Sequence, residues 1–166
     1  MTYTAPTTHV AGETLPAADY NVIVNDVIDH ETRILALPRG YKGSATLSSF
    51  TTTSTSYVDV TGLSVTFTAE TSRRYCVTLF CGMANNSANI SIAVINDGTS
   101  DIAEQYTQAV ANTVYTGTAF AFTTPSAGSV TYTVKMKVVG GTGEMYGTTT
   151  RQSLAAKLMV EDIGAA

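Results

Sequence analysis

The runs Tyr75-Cys-Val-Thr-Leu-Phe80 and Ile90-Ser-Ile-Ala-Val-Ile95 decide the class of this chain, and the second leads directly into Asn96-Asp97-Gly98. Each run is short, almost continuously apolar and rich in β-branched or aromatic residues, which is the pattern of a central strand. Asn-Asp-Gly is the strongest hairpin signal in the sequence and predicts a turn between strands near 90–95 and 99–106. Outward from there, Ser64-Val65-Thr66-Phe67-Thr68 and Val130-Thr131-Tyr132-Thr133-Val134 alternate with period two, as strands with one buried face do. Further strands are expected at 46–50, 57–60, 113–123 and 154–162, with breaks at Thr61-Gly62, Asn85-Asn86, 125–128 and 140–143. The Thr/Ser run 51–56 reads as a loop or edge strand, because hydroxyl side chains satisfy nearby backbone groups there. About eight strands at this spacing predict a mainly β fold, an antiparallel sandwich or jelly roll, with a short N-terminal arm and helix.

The pattern changes abruptly near residue 37. Residues 1–40 read as an attachment arm and amphipathic helix, and residues 41–166 as the β-sandwich. Pro6 and Thr7-Thr8 oppose helix, so residues 2–12 are expected to be extended. Thr14 can cap a helix whose first turn holds Pro16, where a missing N–H costs nothing. Tyr20, Ile23, Val27, His30 and Ile34 follow 3-4-3-4 spacing and form one stripe to about Leu35, before Pro38 and Gly40 end the helix. A helix of this length is marginal alone, so the stripe must meet its own sandwich, a symmetry mate or another protein.

Only 13% of the 166 residues are charged, about half the usual share, and mean hydropathy is +0.12 with no apolar run of membrane length. Residues 75–96 and 105–134 contain no Asp, Glu, Lys or Arg. Buried strands would explain this, and so would a large subunit interface, because the strands of a lone sandwich normally carry charge on their solvent face. The expected interface residues are Tyr75, Phe80, Tyr115, Phe120 and Phe122. The expected attachment residues on the helix are Tyr20, Ile23, Val27 and Ile34. A net charge of −4 opposes nucleic acid as a partner, since phosphate contacts need clustered Lys and Arg, and the single basic doublet, Arg73-Arg74, reads as a turn. No signal peptide is visible. Cys76 and Cys81 lie at odd spacing in one strand, so they face opposite ways and are expected to be free thiols.

Catalytic chemistry finds little support. Both histidines, His9 and His30, lie in the N-terminal arm, away from any serine of the β-body. Cys-x-x-Cys and His-x-x-x-His are missing, and Asp97 with Asp101 is too sparse for calcium. Glu161 and Asp162 are adjacent on a strand and point to opposite faces, so they cannot flank one glycosidic bond. Gly140-Gly141-Thr142-Gly143 lacks the lysine of a phosphate loop. The expectation is a protein that is not an enzyme and needs no metal or cofactor.

The segment His9-Val-Ala-Gly-Glu-Thr-Leu-Pro-Ala-Ala-Asp-Tyr-Asn21, continuing to Asn25-Asp26, resembles the N-terminal signature of small virion proteins of tailed bacteriophages, with His9 where that family often has Trp. The runs Thr53-Ser-Thr-Ser-Tyr-Val-Asp-Val-Thr-Gly-Leu-Ser-Val-Thr-Phe67 and Leu158-Met-Val-Glu-Asp-Ile-Gly164 are similar to strand-rich domains of the same proteins. The resemblance implies a trimeric jelly roll of the complement and tumour-necrosis-factor type, assembled in the host cytoplasm and attached to the virion through its N-terminal segment. The expected function is therefore a homotrimeric structural protein that decorates the capsid surface, with itself and the major capsid protein or another virion protein as partners. The alternative is a tail-fibre or tail-tip module that binds a host-surface receptor or glycan through loops 83–89, 97–101 and 140–150, with Tyr146 as aromatic anchor. Membranes and nucleic acids are not expected partners.

Overall fold

A computed structural model describes Thr14 and residues 17–166, so the expected extended arm and Pro16 lie outside the described residues. The chain divides into two compact units between Leu37 and Pro38. The first holds one helix, α1 (Ala17–Ala36). Asp19 in its first turn and Arg33 in its last complement the helix dipole, and Leu37 N–H donates to the Ile34 carbonyl as Pro38 prevents a further turn. None of its side chains is buried.

The second unit is a two-layer antiparallel sandwich. Its strands are β1 (Gly40–Thr46), β2 (Phe50–Thr52), β3 (Val58–Ala69), β4 (Arg73–Asn85), β5 (Ser91–Asn96), β6 (Asp101–Tyr106), β7 (Tyr115–Thr123), β8 (Gly128–Val138), β9 (Gly143–Met145) and β10 (Lys157–Ala165). One sheet runs β1-β10-β4-β9-β2, with β7 paired to β4, and the other runs β3-β8-β5-β6. The fold is jelly-roll-like, mainly antiparallel β with a single helix among the described residues.

Alternation puts the odd-numbered residues of β4 inward, so Tyr75, Val77, Leu79 and Cys81 meet Val65, Phe67, Tyr132 and Val134 of the facing sheet in one core. The aromatic rings hold its centre: Phe67 lies 4.9 Å from Tyr75 and 6.1 Å from Tyr132, centroid to centroid. Both phenols find polar partners. The Glu70 N–H donates to the Tyr75 hydroxyl at 2.9 Å, and the Tyr132 and Thr123 hydroxyls share a bond of 2.7 Å.

The Asn96-Asp97-Gly98 turn forms as its chemistry requires. The Asp97 carboxylate accepts from the N–H groups of Thr99 and Ser100, and Gly98 takes a φ of 97° that favours glycine. Three sequence expectations need correction. No strand covers 47–49; Leu47 instead plugs the core, donating its N–H to the Ala156 carbonyl. Thr61-Gly62 is not a break but an irregularity inside the single long β3, where the register against β8 shifts between Asp59 and Ser64. Arg73-Arg74 opens β4 rather than turning, because the Arg73 guanidinium is drawn into a buried bidentate pair with Asp162, at 2.9 and 2.6 Å.

Gly147 shows how tightly the 146–150 segment is held. Thr148 and Thr149 donate their N–H groups to the carbonyls of Leu47 and Ser48, bringing the two backbones together so closely that a Cβ on Gly147 would run into the Ser48 carbonyl. Because backbone cannot yield as a flexible side chain does, Gly147→Ala is expected to cost about 2–3 kcal/mol. Thermal denaturation of the variant checks this.

Candidate functional site

The two sheets differ in what they turn outward. The outer face of the four-stranded sheet carries charge: Glu104, Lys135 and Lys137 surround Val94 and Ile92 by register, and the Lys137 ammonium sits 4.3 Å from the centroid of the Tyr57 ring. The β4–β7 ladder of the other sheet, Tyr75 to Met83 against Tyr115 to Thr123, contains no charged residue. On its outer face stand Cys76, Thr78 and Phe80 of β4 beside Thr118, Phe120 and Phe122 of β7. Phe80 is 37% exposed, Phe120 59% and Phe122 61%. Phe120 and Phe122, two apart on one strand, pack edge to face at 5.7 Å, which fixes them as a single apolar patch. Tyr41 of β1 is exposed on the same sheet's outer face, opposite Glu161 in register, and was not anticipated from sequence.

The charge-free stretches thus have two separate causes. β5 is charge-free because almost all of it is buried, whereas β4 and β7 expose an apolar outer face. Two of the five residues expected at the interface are elsewhere. Tyr75 is wholly buried in the core, and its odd number places it on the opposite face of β4 from Phe80. Tyr115 lies on the inward parity of β7 with Gly117, beside Gln105 of β6, and its hydroxyl donates to the Gln108 side chain at 3.4 Å. A period of two forbids Tyr75 and Phe80, five residues apart, from sharing a face.

The two cysteines do face opposite ways. Cys76 is half-buried on the outer face, and Cys81 is enclosed in the core, where burial pushes its thiol up to about 12. On α1, Tyr20, Ile23, Val27 and Ile34 are all exposed, as are Ile28 and Leu35, and Leu37 just beyond the helix. His30, in the same stripe, is exposed too.

Past Phe80 the outer face of β4 changes character. A Cβ on Gly82 would meet Leu154 at 3.0 Å, so the 3-10 turn Gln152–Leu154 crosses over the strand at this point. Beyond it opens a polar crevice of about 370 Å³, lined by Thr51, Ala84, Asn85, Asn86, Asn112, Thr142, Glu144, Tyr146 and Arg151. Thr51, Glu144 and Ala84 are register neighbours across β2, β9 and β4. Loops 83–89 and 140–150 meet here, since Asn86 and Thr142 exchange hydrogen bonds and the Asn85 amide donates to the Gly140 carbonyl. Loop 97–101 does not join them. It lies at the other end of β5, on a separate and larger depression of about 590 Å³ bordered by Thr123, Pro125 and Tyr132. Tyr146 is buried, with the Arg151 guanidinium 5.2 Å from its ring centroid, so its ring face is not open as an anchor.

No protein-family model and no curated protein matches the chain. Among solved structures, the Eiger TNF of S. frugiperda matches at 8% identity, over 77% of this chain and 96% of that one, with a TM-score of 0.44. Infectious bursal disease virus, Gt strain, matches at 8% identity over 78% of this chain and 38% of that one, with a TM-score of 0.33. A mutant VP2 protein of the same virus in T=1 particles matches at 10% identity over 78% and 36%, also with a TM-score of 0.33.

Proposed function

We propose that this protein is a non-enzymatic structural component of a tailed-bacteriophage virion, a homotrimer that decorates the capsid surface and is attached through its N-terminal segment. The observation that carries this reading is the charge-free outer face of β4 and β7 with Phe80, Phe120 and Phe122 exposed. A contiguous apolar patch on an otherwise polar surface marks an interaction site, and apolar area buried there contributes roughly 25 cal/mol/Å². A second uncovered apolar stripe on α1 supplies the attachment element in this reading. The resemblance of residues 9–21 to phage virion proteins supports this address, and assembly in the host cytoplasm agrees with two free thiols.

Quantitative mass spectrometry of purified particles against the major capsid protein tests the address. Hundreds of copies per particle are expected. A handful, in multiples of three, would move the protein to the tail, and none would discard the virion reading. The tail-fibre or tail-tip alternative, a module binding a host-surface receptor or glycan, is favoured by one observation, the polar crevice where loops 83–89 and 140–150 meet.

A further inference from the structure

We infer that the crevice between β2, β9 and the 83–89, 107–114 and 140–151 segments is a binding site for a neutral saccharide. Among its lining side chains, those of Thr51, Asn112, Thr142, Glu144 and Tyr146 make no hydrogen bond to protein, and the Arg151 guanidinium only stacks on Tyr146. Other amide groups of this region brace it. Asn85 bonds Ser91, Gly140 and Ser87, and Asn86 accepts from the Thr142 N–H. One set of polar groups therefore builds the walls and another is left facing the cavity. Bracing of this kind lowers the ordering cost of binding.

The chemistry of the free groups selects the ligand. Hydroxyl, amide and charged side chains predominate among the lining residues, so a purely apolar ligand would leave them without partners. Glu144 and Arg151 cancel in charge, so the crevice has no net attraction for a phosphate or sulfate. A carboxylate, an amide and a guanidinium are each planar and two-pronged, which matches the adjacent hydroxyls of a sugar ring, alternately donor and acceptor. The volume, about 370 Å³, lies at the small end of ligand clefts and suits one or two rings. Asn112 holds a φ of 54°, a left-handed conformation that asparagine tolerates, with its N–H donating to the Asn85 carbonyl at 2.7 Å. That bond holds its backbone beside the cavity it lines.

The inference deepens the host-binding alternative, yet it applies equally to a copy on the capsid and does not depend on oligomeric state. Saturation-transfer NMR on the full chain tests it with glucose, galactose, rhamnose, N-acetylglucosamine, maltose and lactose, and with glycine as a zwitterionic control. Millimolar binding of at least one sugar is expected, weakened at least tenfold in Glu144→Ala and in Asn112→Gly, the second chosen because glycine keeps the left-handed backbone. Melting temperature and oligomeric state should not change in either variant. A response to no sugar, a response to glycine alone, or sugar binding that survives both substitutions would overturn the inference. Each of these results leaves the copy-number and oligomer tests untouched.

Discussion

In the proposed trimer of three 17.4 kDa chains, Phe120→Asp is expected to leave a folded monomer, read by light scattering on a sizing column. Phe120 is 59% exposed in the single chain, so its replacement removes little from the core, and the monomer should keep its β-rich circular dichroism. At a three-fold interface the change acts three times. Each copy loses about 1.5–3 kcal/mol of aromatic burial and must also desolvate a carboxylate with no basic partner on β4 or β7 between 75–83 and 115–123. A second readout separates dissociation from unfolding. Cys76 stands opposite Phe122 in the ladder on the same outer face, so a thiol reagent should react slowly with the native trimer and fast with Phe120→Asp. Cys81, buried in the core, should stay inert in both. A well-folded monomeric wild type with a freely reactive Cys76 would sink the trimer proposal.

Asp162→Ala is expected to be the most damaging single change in the sandwich that leaves the apolar core intact. The Asp162 carboxylate is wholly enclosed and accepts both N–H groups of a bidentate Arg73, plus the backbone N–H of Gly164 at 2.9 Å, with Lys42 at 3.9 Å. Removing the anion strands a buried cation, a loss of about 3–5 kcal/mol in comparable pairs. The lower end applies here because Glu70, ion-paired with Arg39, also acts on Arg73. The expected fall in melting temperature is about 10 °C. Asp162→Asn should be milder, since its side-chain oxygen can still accept from Gly164.

The same pair shapes the acid response. Burial alone would raise the Asp162 carboxyl, but the hydrogen bonds from Arg73, Gly164 and Arg39 outweigh it and hold the group below the usual carboxylate range. A depressed folded value means that its stabilisation is fully present above the unfolded value of about 4 and is lost as pH falls through the folded value. Denaturation midpoints measured from pH 6 to pH 2 should therefore drop on the acid side. The drop should be shallower in Asp162→Asn, though not absent, because Asp97 is also held low by its turn N–H groups against its own burial.

Local rules written into neighbouring residues were enough for much of this protein. Strand identity at 75–80, 90–95 and 130–134, the Asn96-Asp97-Gly98 hairpin, the helix over most of 14–35 and the opposed cysteines all follow from side-chain period and turn chemistry, which act over a few residues. Composition also marked the charge-free ladder that carries Phe80, Phe120 and Phe122. Parity applied within β4 would have removed Tyr75 from that face beforehand. Other features depend on partners far along the chain. Pairing β4 with β7 and β10 decides which apolar face is core and which is left bare, and nothing within 75–80 distinguishes the two. Arg73 and Asp162 are 89 positions apart, and only the sandwich brings the guanidinium to the carboxylate. The crevice likewise draws Thr51, Asn112, and Glu144 with Arg151 from three separate segments, a convergence that no local spacing encodes because long-range contacts, not neighbouring residues, place those side chains.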